Sequence, residues 1–272
     1  MSVDRLLELT LADARTRIEA ALAAHLPELA ADQYEWLPPA ESQEVWAAGV
    51  TYVQSREARV EEAVEKDFYA RAYEAARPEL FYKAAGWRLV GEGGLIGIRS
   101  DSDWTVPEPE LAVLSNSAAE VLGYACGDDM SSRSIEGENP LYLPQAKVYQ
   151  DSCSVGPAIA LAWYVDAHDS TVELTIQRGG AVIYRGESST AGLARDPAQL
   201  VQVLYSSYKL PAGAWLLTGA AVVPPDSYTA MADDVVEIAI AGVGRLNNVA
   251  YVVDHSGALA PPRLKITDTP VQ

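Results

Sequence analysis

The sequence predicts an α+β fold that is mainly β. Three observations carry this reading. After Pro78, short strand-like runs alternate with Gly, Asp and Pro turns up to the C-terminus. A single helical stretch, near residues 197–208, interrupts them. The other strong helical pattern lies in the N-terminal part of the chain. Many strands with few helices point to an α+β arrangement, not to repeated βαβ units.

Residues 1 to about 30 read as helix. Leu6, Leu7, Leu9 and Leu11, then Ile18, Ala21, Leu22 and Leu26, recur at helical spacing. Pro27 marks a break, and Trp36-Leu37-Pro38-Pro39-Ala40 reads as a linker. The expected division is a small helical cap and linker over 1–43 and a main domain over 44–272. Val45-Trp46-Ala47-Ala48-Gly49-Val50 reads as a strand that stops at a glycine turn. Residues 55–76 form a charged helical stretch, with Glu61, Glu62, Glu65 and Lys66 on its wet face. Val172-Glu173-Leu174-Thr175-Ile176 and Val235-Val236-Glu237-Ile238-Ala239-Ile240 read as strands. Asp196 reads as the N-cap of the later helix, with Pro197 at its first position.

Of the 272 residues, 49% are hydrophobic, which suits one large globular unit. The formal net charge of -18 argues against nucleic acid, because a polyanion would be repelled. Solubility, or a salt-rich cytoplasm, accounts for most of that charge. No apolar run is long enough to span a bilayer, and the first residues lack the pattern of a secretory signal. Cys126 and Cys153 form no Cys-x-x-Cys and read as buried apolar residues in a reducing, cytoplasmic setting. His25, His168 and His255 share no motif, which leaves zinc with little support.

Pro107-Glu108-Pro109-Glu110-Leu111-Ala112-Val113-Leu114 is the most informative segment. In a strand, Glu108 and Glu110 point the same way. Two anions a few ångströms apart repel by roughly 4 kcal/mol at an effective dielectric near 20. Burial adds a desolvation cost, and a divalent metal removes both problems. The bland alternative is an exposed edge strand with its acids in water. A second acidic site follows in Gly123-Tyr124-Ala125-Cys126-Gly127-Asp128-Asp129. Strand alternation lets only one of the two aspartates join the glutamates. Three carboxylates without His or Cys form a hard-cation site suited to Mg²⁺, Mn²⁺ or Ca²⁺. Lys147 lies between Pro-rich apolar segments, where a solvated face is less expected. Near a metal it would hold a substrate oxyanion or move a proton.

The order of these motifs is Glu108-x-Glu110-Leu111-Ala112-Val113, then Gly123-Tyr124 through Asp128-Asp129 to Ser131 and Arg133. Lys147, Cys153 and Gly156-Pro157 come next, and Thr218-Gly219 last. Together they resemble the fumarylacetoacetate hydrolase superfamily, from residue 44 to the end. Arg77-Pro78-Glu79-Leu80-Phe81-Tyr82-Lys83, Arg99-Ser100-Asp101-Ser102-Asp103-Trp104 and Glu138-Asn139-Pro140-Leu141-Tyr142-Leu143-Pro144-Gln145 are similar to its 2-keto-3-deoxy-D-arabinonate dehydratase branch. The resemblance implies a mixed β-roll with a small N-terminal helical cap, and Mg²⁺ held by Glu108, Glu110 and Asp129. It puts Lys147 in the place of an active-site lysine. Glu136 falls where hydrolytic relatives often carry a substrate-facing glutamine. Asp128, at a position where many relatives have Asn, is left out of the ligand set. The resemblance also implies a homodimer or homotetramer.

Three departures stand out. Ser55 and Ala58 occupy the positions of a His and a Glu that activate water in the hydrolytic members. Ala220 follows Thr218-Gly219 where relatives continue Thr-Gly-Thr, and Ser134 replaces a common Asp. The expected reaction is therefore elimination of water from a 2-keto-3-deoxy sugar acid, through an enolate that a dication stabilises. Lys147 is the first candidate for the C3 proton or for holding the enolate. Glu57 and Glu136 are candidates for the second proton transfer, and Lys83, Arg133 and Thr218 for substrate binding. The plainer readings are a helix-surface acid for Glu57, a snorkelling side chain for Lys83 and a structural partner of the acids for Arg133. The alternative activities are a C–C hydrolase or decarboxylase of an acylpyruvate- or oxaloacetate-like acid, and a metal-binding relative without catalysis.

Overall fold

The structure is a computed structural model that describes residues 2–24, 36–49, 51–52 and 75–253. Glu57 and most of the expected 55–76 helix, as far as residue 74, lie outside the described residues, as do Pro27, Ser55 and Ala58.

The N-terminal pattern yields two helices instead of one. Helix α1 spans Val3–Leu7 and α2 spans Leu11–Ala23. The chain breaks at Thr10, whose hydroxyl accepts the Asp13 amide and caps α2. Leu7 and Ala14 are fully buried, while Leu22 is exposed. The helices therefore turn one narrow stripe inward.

The first five strands are β1 (Glu44–Gly49), β2 (Glu79–Ala85), β3 (Leu95–Arg99), β4 (Thr105–Val106) and β5 (Pro109–Ser115). Next come β6 (Val121–Asp129) and β7 (Ser131–Ser132), then two short helices, α3 (Arg133–Glu138) and α4 (Leu143–Lys147). Strands β8 (Cys153–Leu161), β9 (Thr171–Arg178) and β10 (Ala181–Ser189) lead to helix α5 (Pro197–Tyr205). Asp196 caps that helix by accepting the Ala198 amide, as expected from Pro197 at N1. The chain continues through β11 (Ala214–Leu217), β12 (Val235–Ile240) and β13 (Gly244–Val253).

Six strands form one sheet in the order β2-β1-β11-β5-β6-β8, and five form a second in the order β10-β9-β12-β13-β3. Strands β4 and β7 make a separate short pair. Both large sheets are mixed: β1 runs parallel to β11 and β13 parallel to β3, with antiparallel pairs elsewhere. The observed architecture is thus the mainly β, α+β class expected from the sequence.

Both faces of β5 are covered, which explains its unbroken apolar run. Leu111 and Val113 pack with Val172, Leu174 and Ile176 of β9 and with Val236 and Ile238 of β12. Ala112 and Leu114 face the other way, against Leu7, Ala14, Trp215 and Leu217. By alternation, Glu108 and Glu110 share the side of Ala112 and Leu114. The acids therefore continue, along the same strand, the face whose apolar residues pack with Leu7 and Ala14. Among the described residues, no helix is long and apolar enough to cross a membrane.

Leu7 ties α1 to the sheet. Leu7→Ala is expected to lower stability by about 3 kcal/mol, a typical cost for truncating a buried leucine. Urea unfolding measures this, and an unchanged midpoint would show that α1 does not pack on the sheet.

Candidate active site

Strands β5 and β6 set the acids. Their antiparallel register pairs Pro109 with Asp128 and Glu110 with Gly127. One step further, the Asp129 amide donates to the Glu108 carbonyl at 3.0 Å. Glu108 and Asp129 thus face each other across the two strands, with Glu110 on the same face two residues along. One carboxylate oxygen from each of the three lies within 4.8 Å of the others, and all three residues are buried. Asp128 turns to the opposite side, as alternation requires, and its Oδ1 accepts the Glu108 amide at 3.0 Å. Burial pushes its carboxyl up to about 8.

Three cations answer these anions. Lys147 Nζ, at the end of α4, donates to Glu108 Oε2 at 2.6 Å, Asp129 Oδ2 at 2.9 Å and Ser131 Oγ at 2.6 Å. Arg133, at the start of α3, reaches Glu108 Oε1 at 2.9 Å. Lys83, on β2, forms an ion pair with Asp129 Oδ1. Among the described residues, no ion pair reaches Glu110; its Oε2 accepts the Gly219 amide at 2.6 Å. Burial, followed by the charges of Asp129 and Glu108, pushes the Glu110 carboxyl well above its usual range. An adjacent dication reverses that preference. The all-oxygen donor set therefore fits a hard dication such as Mg²⁺.

A cavity opens beside the acids. Glu108, Glu110, Asp129, Arg133, Glu136 and Lys147 line it together with Glu79, Phe81, Gly49, Gly219 and Ala220. Lys147 Nζ sits 5.7 Å from the centre of the Phe81 ring, an apolar wall close to the charge. Ser134 joins a hydroxyl cluster, 3.0 Å from Ser102 Oγ, in place of an acid.

Six of the nine site residues expected from the sequence come together at this cavity: Glu108, Glu110, Asp129, Lys147, Arg133 and Glu136. Lys83 and Thr218 do not line it. Lys83 is buried behind Asp129, so it does not snorkel. Thr218 directs its hydroxyl to the Leu111 carbonyl at 2.9 Å, and so ties the chain after β11 to β5. Glu57 is outside the described residues. Glu79 was missed. Its signal was period-two spacing with Phe81, which lines the same cavity; the register with β1 shifts at Lys83, so the alternation does not extend to it. Gly49 makes room for it, because a Cβ there would collide with the Glu79 carboxylate. Gly219 was also missed as a contact, because only the folded backbone aims its amide at Glu110.

Fold and site together define a mixed-sheet protein with a buried carboxylate centre able to hold a hard dication. Residues 44–250 match the family described as fumarylacetoacetate (FAA) hydrolase C-terminal, and the chain belongs to that family. It is 45% identical over 216 residues to a probable 2-keto-3-deoxyxylonate dehydratase of Haloferax volcanii, covering 79% of this chain and 74% of that protein. It is 41% identical over 213 residues to the 2-dehydro-3-deoxy-D-arabinonate dehydratase of Saccharolobus solfataricus, covering 76% of this chain and 72% of that one. Its structure resembles that of a 2-keto-3-deoxy-D-arabinonate dehydratase complexed with magnesium and 2,5-dioxopentanoate. That match has a TM-score of 0.73 and 38% identity, over 79% of this chain and 75% of the other.

Gly219 adopts φ +105°, and an added Cβ would meet the Thr51 hydroxyl and, at 3.2 Å, the Ala48 carbonyl. Gly219→Ala is expected to cost about 1–3 kcal/mol in backbone strain and to disturb the amide that holds Glu110. Thermal melting and Mn²⁺ titration read both effects. Wild-type values in both would contradict this account of the turn.

Proposed function

We propose that the protein is a dehydratase that removes water from a 2-keto-3-deoxy pentonic acid to give 2,5-dioxopentanoate. One observation carries the reading: the buried Glu108–Glu110–Asp129 cluster opens on a cavity that also holds two further carboxylates, Glu79 and Glu136. Similarity to two dehydratases supports it. Their names agree chemically. Xylonate and arabinonate differ at C2 and C3, and in the 2-keto-3-deoxy acid those carbons are an oxo carbon and a methylene. The neighbouring structure bound to 2,5-dioxopentanoate fits the same product.

In this reading Glu108, Glu110 and Asp129 hold Mg²⁺, as the all-oxygen donor set favours. When bound, Mg²⁺ supplies Lewis acidity toward the 2-oxo acid end of the substrate. Lys147 keeps an ammonium beside that end, where negative charge grows as the C3 proton leaves. Its contacts to Glu108, Asp129 and Ser131 fix Nζ at that point, which suits a charge stabiliser. Arg133 keeps Glu108 oriented. The C3 proton passes to Glu79, which is only half-buried and lies at the cavity wall. Glu136 gives a proton to the departing C4 hydroxyl, which leaves as water. The C3=C4 double bond then moves to C4=C5 as C5 gives a proton to Glu136 and C3 takes one back from Glu79. The resulting enol exchanges its hydroxyl proton for one at C4 to become the aldehyde.

Residues 44–272 act as the catalytic domain and 1–43 as the cap in this proposal. A cytoplasmic setting is supported by two free, buried cysteines whose thiols burial holds well above the usual range. Exposed Trp87 and Leu141 support a homodimer or homotetramer.

With Mg²⁺ and 2-keto-3-deoxy-pentonate, aldehyde should form. Pyruvate or CO₂ in its place would point to C–C cleavage or decarboxylation, and no turnover would point to a non-catalytic relative. Glu108→Gln is expected to abolish Mg²⁺-dependent turnover while the fold persists. Glu79→Gln should lower kcat by about 100-fold or more. In D₂O it should also stop deuterium entering C3 of the substrate, as followed by NMR. Glu136→Gln should keep that exchange and lose dehydration. Full exchange in Glu79→Gln would remove Glu79 as the base.

A further inference from the structure

We propose that Lys83 is a positioning residue, a buried ammonium that holds the Asp129 carboxylate and the Lys147 main chain to one point. The inference rests on the reading of Glu108, Glu110 and Asp129 as a dication site.

Lys83 reaches this point from β2, two strand positions beyond Phe81 and four beyond Glu79. Its side chain has no exposure to solvent. Nζ pairs with Asp129 Oδ1 and donates to the Met130 carbonyl at 3.0 Å and to the Lys147 carbonyl at 2.5 Å. Met130 follows Asp129 directly, so two of these contacts grip the end of β6, one through its side chain and one through its backbone. The third grips the last residue of α4.

These contacts close a ring. Lys83 holds one oxygen of Asp129, and Lys147 Nζ holds the other. The Lys147 carbonyl then returns to Lys83, where Ser152 Oγ supports it at 2.9 Å. Asp129 cannot rotate, and α4 cannot slide, without breaking a buried contact to a charged group. A lysine suits this node because its three N–H bonds radiate from one nitrogen, whereas the donors of an arginine lie in a plane. Residues that orient a metal ligand from behind typically change metal affinity by about 10–100-fold when removed.

The test is Mn²⁺ binding by calorimetry and EPR on the full chain, for wild type, Glu108→Gln, Lys83→Met and Lys83→Gln. Wild type should bind Mn²⁺ and Glu108→Gln should not. Folded Lys83→Met should bind about 10–100-fold more weakly, with an altered spectrum of the bound ion. Lys83→Gln removes the charge but keeps a donor, and it gives the same reading if Lys83→Met does not fold. Wild-type or tighter affinity with an unchanged spectrum in a folded Lys83 variant overturns the positioning role and leaves the dication site standing. Absence of Mn²⁺ binding by wild type, or full binding by Glu108→Gln, overturns the site reading and this proposal with it.

Discussion

Three buried carboxylates whose oxygens lie within 4.8 Å of one another form the constraint that the surrounding structure answers. Like charges this close repel, and burial removes the water that would screen them. The protein compensates with three cations brought from three different elements: Lys83 from β2, Arg133 from α3 and Lys147 from α4. Glu108 and Asp129 each receive two of these contacts, whereas Glu110 receives a backbone amide. Burial and the charges of Asp129 and Glu108 hold the Glu110 carboxyl well above its usual range, a preference that an adjacent dication reverses.

The six-stranded sheet makes this cluster possible. Its central strands are apolar on both faces, so β5 and β6 are pinned by packing from two sides. Register then decides where the acids go, because a one-residue slip would send Glu108 and Glu110 to the opposite face. The short helices α3 and α4 add little core. Their role is to carry Arg133, Glu136 and Lys147 to the end of the sheet where the strands present their carboxylates.

Much of this was legible in the sequence, and the limits have physical causes. The Glu-x-Glu spacing fixed a shared face, and strand alternation showed that only one of Asp128 and Asp129 could join it. The capped α5 helix was readable because Asp196 and Pro197 act locally. The N-terminal break at Thr10 was hidden by leucines that kept helical spacing across it. Lys83 read as a substrate-binding residue, or more plainly as a snorkelling side chain, because its acceptors are two backbone carbonyls and an aspartate far along the chain. The Gly219 amide was unreadable for a similar reason: its direction depends on a left-handed backbone set against Thr51 and Ala48. Thr218 read as a substrate contact, yet its hydroxyl serves the join between β5 and the chain after β11.

The central claim is that one dication sits among Glu108, Glu110 and Asp129. Anomalous diffraction from crystals grown with Mn²⁺ tests it most directly. The expected result is a single strong peak about 2.0–2.2 Å from one carboxylate oxygen of each residue, the range for a small octahedral dication. A peak held by other groups, or density showing the three carboxylates turned to separate surfaces, would contradict it.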